Sequence, residues 1–172
     1  MLSQTAKQEI LRKINLKVGF QVSEKDTTPA TRLAITNLAT IQRHLFVITE
    51  ILRGEKGRIE GSFILRVASK VGKDSERAEK DQLVSEIAKL QVDIDNKISD
   101  IAGQVIAEEN ARHAGTAPPV YKGQVEAVEL KCPSCGATLP MPTGSLVQCQ
   151  YCKATVSIQD VSSQLKSIIK GI

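Results

Sequence analysis

Leu83-Val84-Ser85-Glu86-Ile87-Ala88-Lys89-Leu90-Gln91-Val92-Asp93-Ile94-Asp95-Asn96-Lys97-Ile98-Ser99-Asp100-Ile101-Ala102-Gly103-Gln104-Val105 places its seam residues at Leu83, Ile87, Leu90, Ile94, Ile98, Ile101 and Val105. Steps of three and four return the chain to one face of an α-helix, so this stretch predicts one long helix over residues 75–112, capped at Ser75. Leu83, Ile94 and Val105 repeat every eleven residues, a period that suits a nearly straight or slightly right-handed seam. Glu79, Asp81, Glu86, Asp93, Asp95 and Asp100 occupy the other faces as a solvated surface. So narrow a stripe needs a mate. The helix over residues 29–53 of the same chain would serve, giving an antiparallel bundle, and so would the same helix of a second copy; the length of the seam and an exposed strand nearer the N-terminus incline the reading to a homodimer.

Toward the N-terminus, Thr28-Pro29 is a helix start, because proline at the first helical position gives up a donor that the helix leaves unpaired anyway. Ile35, Leu38, Ile41, Leu45, Phe46, Ile48 and Leu52 then form a core-facing stripe, with Gly54 as its stop. His44 beside this stripe has no ligand partner at useful spacing and reads as an ordinary histidine. Gly54-Glu55-Lys56-Gly57 reads as a turn between helices. It also resembles the Gly-x-x-Gly loop with which K-homology domains clamp single-stranded nucleic acid, which would make Arg53, Lys56 and Arg58 phosphate contacts. A second amphipathic helix is expected over residues 59–71, closed by Gly72. Ahead of all this, a short capped helix from Thr5 is followed by Ile14, Leu16, Val18, Phe20 and Val22 alternating with smaller or polar residues, the period of a half-buried strand over 14–22.

Toward the C-terminus, residues 113–124 with Pro118-Pro119 read as a linker, and His113 as a helix-end cation. Beyond it lie the four cysteines of the chain, Cys132-Pro133-Ser134-Cys135 and Cys149-Gln150-Tyr151-Cys152. Two thiolates three residues apart can share one cation when a tight turn joins them, and two such turns supply four sulfurs at tetrahedral angles. Four protein ligands leave no open coordination position, so the pattern points to one structural zinc ion per chain. A single iron fits the same donors. Disulfides would need an oxidising compartment, and the first residues lack the apolar core of a signal peptide.

Residues 129–158 resemble the zinc ribbons. That resemblance implies a three-stranded antiparallel ribbon around one zinc, with Cys132, Cys135, Cys149 and Cys152 as ligands. Zinc ribbons usually have glycine after the last cysteine, where this chain has Lys153; a looser turn or a cation beside the thiolates is expected there. Asp160 is expected to cap a final helix with Val161, Leu165, Ile168 and Ile169 on its docking face.

The fold class expected is mainly α: a helical bundle or coiled-coil stalk followed by a small C-terminal β zinc ribbon. The divisions are residues 1–74, helical with one strand; 75–112, the long helix; 113–124, the linker; and 125–172, ribbon plus helix. Aromatic residues make up 3 % and tryptophan is absent, so aliphatic seams must supply the core. Net charge is +6 over residues 1–78, −4 over 79–112 and +2 over 113–172, too mild to dictate a nucleic-acid partner. No apolar run approaches a bilayer span, and the chain is expected to be soluble and cytoplasmic. No histidine pairs with a nucleophile, so neither an enzyme nor a small-molecule substrate is expected. The expected role is a zinc-stabilised interaction protein on nucleic acid, a polymerase or a ribosome, with Lys122, Lys131, Lys153 and Tyr151 as contacts. The alternative is a protein-only adaptor or scaffold that oligomerises through its long helix.

Overall fold

The computed structural model describes the backbone of residues 2–61, 73–123 and 126–172, and side chains within 5–54, 78–123 and 126–172. Among the described residues, four helices precede and follow a small hairpin: α1 (Leu2–Val18), α2 (Pro29–Gly61), α3 (Lys73–His113), β1 (Leu146–Gln148), β2 (Thr155–Ser157) and α4 (Ile158–Gly171). A 3-10 turn (Glu24–Asp26) joins α1 to α2. Mainly α with a small C-terminal β part is therefore the fold class.

Two compact units are built from these elements. The first comprises Met1–Arg43, Gln91–Val128 and Leu165–Ile172. Its interior is aliphatic: Ile10, Ile14, Ile35, Leu38, Ile41, Ile98, Ile101 and Leu165 are fully buried, and Ile94 and Val105 nearly so. Each such side chain contributes roughly 1.5–3 kcal/mol of burial, which outweighs the modest helix propensity of isoleucine. Lys13 on α1 pairs with Asp95 on α3 at 2.8 Å.

The start of α2 is held by a buried carboxylate from α3. Glu108 is 4 % exposed. It accepts from the Thr28 amide at 3.0 Å, the Thr28 hydroxyl at 2.8 Å, the Thr31 hydroxyl at 2.6 Å and the Gln104 amide at 3.1 Å. Those donors include groups that a helix N-terminus leaves unpaired, and the charge lies at the positive end of the α2 dipole. Burial is the largest single influence on Glu108 and would raise its pKa. The hydrogen bonds from Thr31, Thr28 and Gln104 together outweigh it and hold the carboxyl below its ordinary range.

The expected strand over 14–22 is absent: residues 14–18 are the end of α1, and 19–22 are irregular. Ile10 and Ile14 are fully buried one turn apart, whereas Leu16 is 72 % exposed, so helical and not alternating burial decides the conformation. Gly19 then takes a left-handed φ of +79° and its amide closes on the Asn15 carbonyl at 3.0 Å. The Asn15 side chain accepts from the Val22 amide at 2.9 Å and holds the exit.

The second unit comprises His44–Leu90 and Glu129–Gln164. Leu45, Ile48 and Leu52 on α2 and Leu83, Ile87 and Leu90 on α3 are buried in it. Gly54 does not stop α2, which continues to Gly61. The turn and the nucleic-acid loop expected at 54–57 are both overturned: these residues are helical, and Gly54 has no left-handed φ to end a helix. A glycine inside a helix costs about 1 kcal/mol relative to alanine, less than a helix anchored by Leu45, Ile48 and Leu52 can absorb. Most of the helix expected over 59–71 lies outside the described residues. Ser75 sits inside α3, which begins two residues earlier than expected.

All seven seam residues, Leu83, Ile87, Leu90, Ile94, Ile98, Ile101 and Val105, are buried within a single chain, so a second copy is not required to cover them. The last helix also starts earlier than expected. Ser157 is its cap, and Asp160 answers from the first turn: the Asp160 amide donates to the Ser157 hydroxyl at 3.1 Å, and the Ser157 amide donates to the Asp160 carboxylate at 3.2 Å. Val161, Leu165 and Ile169 of α4 are buried, as its apolar face predicts. Among the described residues no helix is long and apolar enough to cross a membrane.

Candidate metal centre

The hairpin that carries the cysteines is made of two turns with one hydrogen-bond pattern. In the first, the Cys132 amide donates to the Ala137 carbonyl at 2.8 Å and the Gly136 amide to the Cys132 carbonyl at 2.8 Å. In the second, the Cys149 amide donates to the Ala154 carbonyl at 2.9 Å and the Lys153 amide to the Cys149 carbonyl at 3.1 Å. Gly136 and Lys153 hold equivalent positions with φ of +73° and +62°. Lys153 is the one non-glycine residue among those described with a positive φ. The second turn is therefore as tight as the first and not looser as expected; the strain is carried by the lysine backbone. Its ammonium donates to the Gln150 carbonyl of the same turn at 2.9 Å.

Behind the turns, β1 and β2 pair antiparallel with Val147 opposite Val156, both buried. The third strand expected of a ribbon is reduced to an isolated bridge between Lys131 and Thr138. The edge of that segment is taken by a side chain instead: Gln164 of α4 accepts from the Lys131 amide at 3.0 Å and donates to the Lys131 carbonyl at 2.8 Å. One amide thus replaces a strand partner at this residue.

These turns bring the four sulfurs together. Cys132 and Cys152 lie 3.6 Å apart, as do Cys135 and Cys149, and all four sulfurs fall within 4.8 Å of one another. A tetrahedron with metal–sulfur bonds of about 2.3 Å has edges of about 3.8 Å, so the set fits one ion. None of the cysteines is disulfide-bonded. Cys132 and Cys149 are buried, and Cys135 and Cys152 are exposed.

Main-chain amides already favour thiolate here. Those of Cys152 and Tyr151 point at the Cys149 sulfur and bring its pKa down to about 6. Burial is the strongest single influence on Cys132 and opposes ionisation, but the amides of Ser134 and Cys135 overcome it and lower its pKa. Cys135 is the converse. The Ala137 amide would favour its thiolate, yet the Cys152 thiol, burial and the neighbouring Cys149 and Cys132 push it up to about 12. Four sulfurs this close ionise together only around a cation, so loading the site expels protons.

Lys131 and Arg53, two of the expected contact residues, form local ion pairs. Lys131 pairs with Glu129 and reaches the Thr138 hydroxyl at 3.4 Å. Arg53 pairs with Glu50 at 2.8 Å, one turn back on α2. Lys56 and Arg58 lie in the last turns of α2, and Lys122 is exposed on the linker. Tyr151 is 76 % exposed at the tip of the second turn. His113 pairs with Glu109 at 3.1 Å at the end of α3, as a helix-end group should. Among the described residues the four cysteines are the one grouping able to hold a metal. Glu108 and Gln164 carry no sequence signal: each acts on a residue more than thirty positions away.

The first unit also contains an open hollow of about 600 Å³ lined by Leu11, residues 21–25 and Arg32. Two of its charged groups are occupied. Glu24 pairs with Lys7 at 2.7 Å, and Arg32 donates to the carbonyls of Glu24 and Thr27.

The arrangement defines a four-cysteine centre on a two-turn hairpin. Comparison with known protein families, curated proteins and solved structures finds no match for the chain.

Proposed function

We propose that this chain is a non-enzymatic protein-interaction module whose cysteine hairpin is folded around one structural zinc ion. The observation that carries this reading is the closed donor set: four sulfurs within 4.8 Å on two matched turns, with no position left for a substrate. Zinc is favoured over iron because it serves structural thiolate sites without redox chemistry. A protein partner is favoured over a nucleic acid. Lys131 and Lys153, the lysines next in sequence to Cys132 and Cys152, are bonded to Glu129 and to the Gln150 carbonyl. Segment Glu129–Gln164 has two lysines, one glutamate and one aspartate, and so no positive excess to attract phosphates.

Native mass spectrometry before and after chelation, with elemental analysis, tests the reading. One zinc per chain, lost with the hairpin's structure on chelation, is expected. A metal-free folded hairpin, or iron, overturns it. Salt-sensitive retention on nucleic acid would overturn the choice of partner.

A further inference from the structure

Hydrogen bonding across the hairpin leaves one side of it unpaired among the described residues. The Ile158 amide bonds the Ser145 carbonyl at 3.1 Å and the Cys149 amide bonds the Ala154 carbonyl at 2.9 Å, with Val147 and Val156 in register between them. By the antiparallel alternation, the main-chain groups of Leu146, Gln148, Thr155 and Ser157 point away from the hairpin. On the β2 side Asp160 bonds the Ser157 amide at 3.2 Å. On the β1 side no described residue bonds the main chain of Leu146 or Gln148, and Leu146 is 62 % exposed. Such an edge is a template for an added strand.

The charge beside that edge selects what can add. Four thiolates around a divalent ion carry a net charge of about −2, and the protein charges of Glu129–Gln164 cancel. Two of the sulfur-bearing residues, Cys135 and Cys152, are exposed, so this charge is at the surface. Tyr151, three residues beyond Gln148, offers an exposed ring. A guanidinium suits both, stacking on the ring and donating to sulfur, whereas a phosphate backbone is repelled.

We propose that the free edge of β1, beside the metal-loaded second turn, docks an extended arginine-bearing segment of a partner protein. This rests on the reading that the four cysteines hold a divalent ion.

The test uses the full zinc-loaded chain, first counted for zinc and chains by native mass spectrometry, then followed by amide NMR. The probes are a ten-residue peptide of alternating arginine and valine, the same peptide with glutamate for arginine, and a twelve-nucleotide single-stranded DNA. The arginine peptide is expected to shift the amides of Leu146, Gln148 and Tyr151 and to bind at least tenfold more tightly than the glutamate peptide. Tyr151→Ala should weaken it about three- to fivefold. Gln148→Pro removes one outward donor that the hairpin does not use, and should abolish the Leu146 shift with zinc retained. If that variant loses zinc, Tyr151→Ala decides. Equal binding of the two peptides, shifts confined to other residues, stronger binding of the DNA, or occupation of this edge by a second copy overturns the proposal. A chain without zinc overturns the functional reading itself, whereas a zinc-loaded chain that ignores the arginine peptide overturns only this inference.

Discussion

Along α3 the seven seam residues from Leu83 to Val105 are at most 7 % exposed, while the hairpin from Glu129 to Ser157 buries only Leu130, Leu139, Val147 and Val156 as large aliphatic residues. The helices can be held by apolar burial, whose strength grows with the area removed from water. The hairpin has too little of it to offset the entropy of ordering its loops, so on the proposed reading its order comes from one ion held by the four sulfurs. One chain thus contains two solutions to the same problem, and they should fail under different insults.

The sharpest break between them is metal removal. Chelation, or Cys132→Ser with Cys149→Ser, should melt residues 129–157, because structural zinc supplies on the order of 10 kcal/mol to such a fold. Far-ultraviolet circular dichroism should keep most of its helical signal while hairpin amides lose their dispersion; collapse of both would erase the contrast. Next in size is Ile98→Asp, which buries a charge in a fully enclosed position of the first unit and should cost about 4 kcal/mol or more in thermal denaturation. An unchanged melting temperature would contradict the buried seam.

A smaller loss tests the cap. Glu108→Gln should cost roughly 1–3 kcal/mol by weakening the bonds to Thr28 and Thr31. Because the folded carboxyl titrates below its ordinary value of about 4.5, the unfolded chain takes up this proton first. The contribution is thus present above that value and lost as pH falls through the depressed one. Denaturant titrations should show a flatter acid limb in the variant, and parallel limbs would remove Glu108 from the account. Smallest is Lys153→Gly, which relieves a left-handed non-glycine residue and should stabilise the zinc-loaded hairpin by about 1 kcal/mol. A competitive chelator titration would detect this as a few-fold tighter site, and a weaker one would mean that the bond from Lys153 to Gln150 matters more than the strain.

The parts of this structure that repeat along the chain were legible in its sequence. The α3 seam is written in steps of three and four, and the four-cysteine cluster in two pairs of cysteines at fixed spacing. Misreading began where two periods coincide. Ile14, Val18 and Val22 satisfy both an alternating and a helical pattern, and the burial of Ile10 with Ile14 settles it only in three dimensions. Gly54 misled because a residue that can end a helix need not do so when apolar side chains before it are anchored. Glu108 was hidden among the acidic residues of α3, its partners Thr28 and Thr31 lying some eighty positions away.

Asn37 carries a consequence for the spacing of the chain. Its buried side chain donates to the Glu126 carbonyl at 2.9 Å and accepts from the Val128 amide at 3.1 Å, gripping the backbone just ahead of the cysteine hairpin. That grip acts as a zero mark on a ruler: extra length spooled into the exposed residues 114–120 ends at the mark, and the count from Val128 to Cys132 stays the same. The same insertion between Val128 and Cys132 has no such brake. A reporter peptide carried on this protein belongs upstream of the mark.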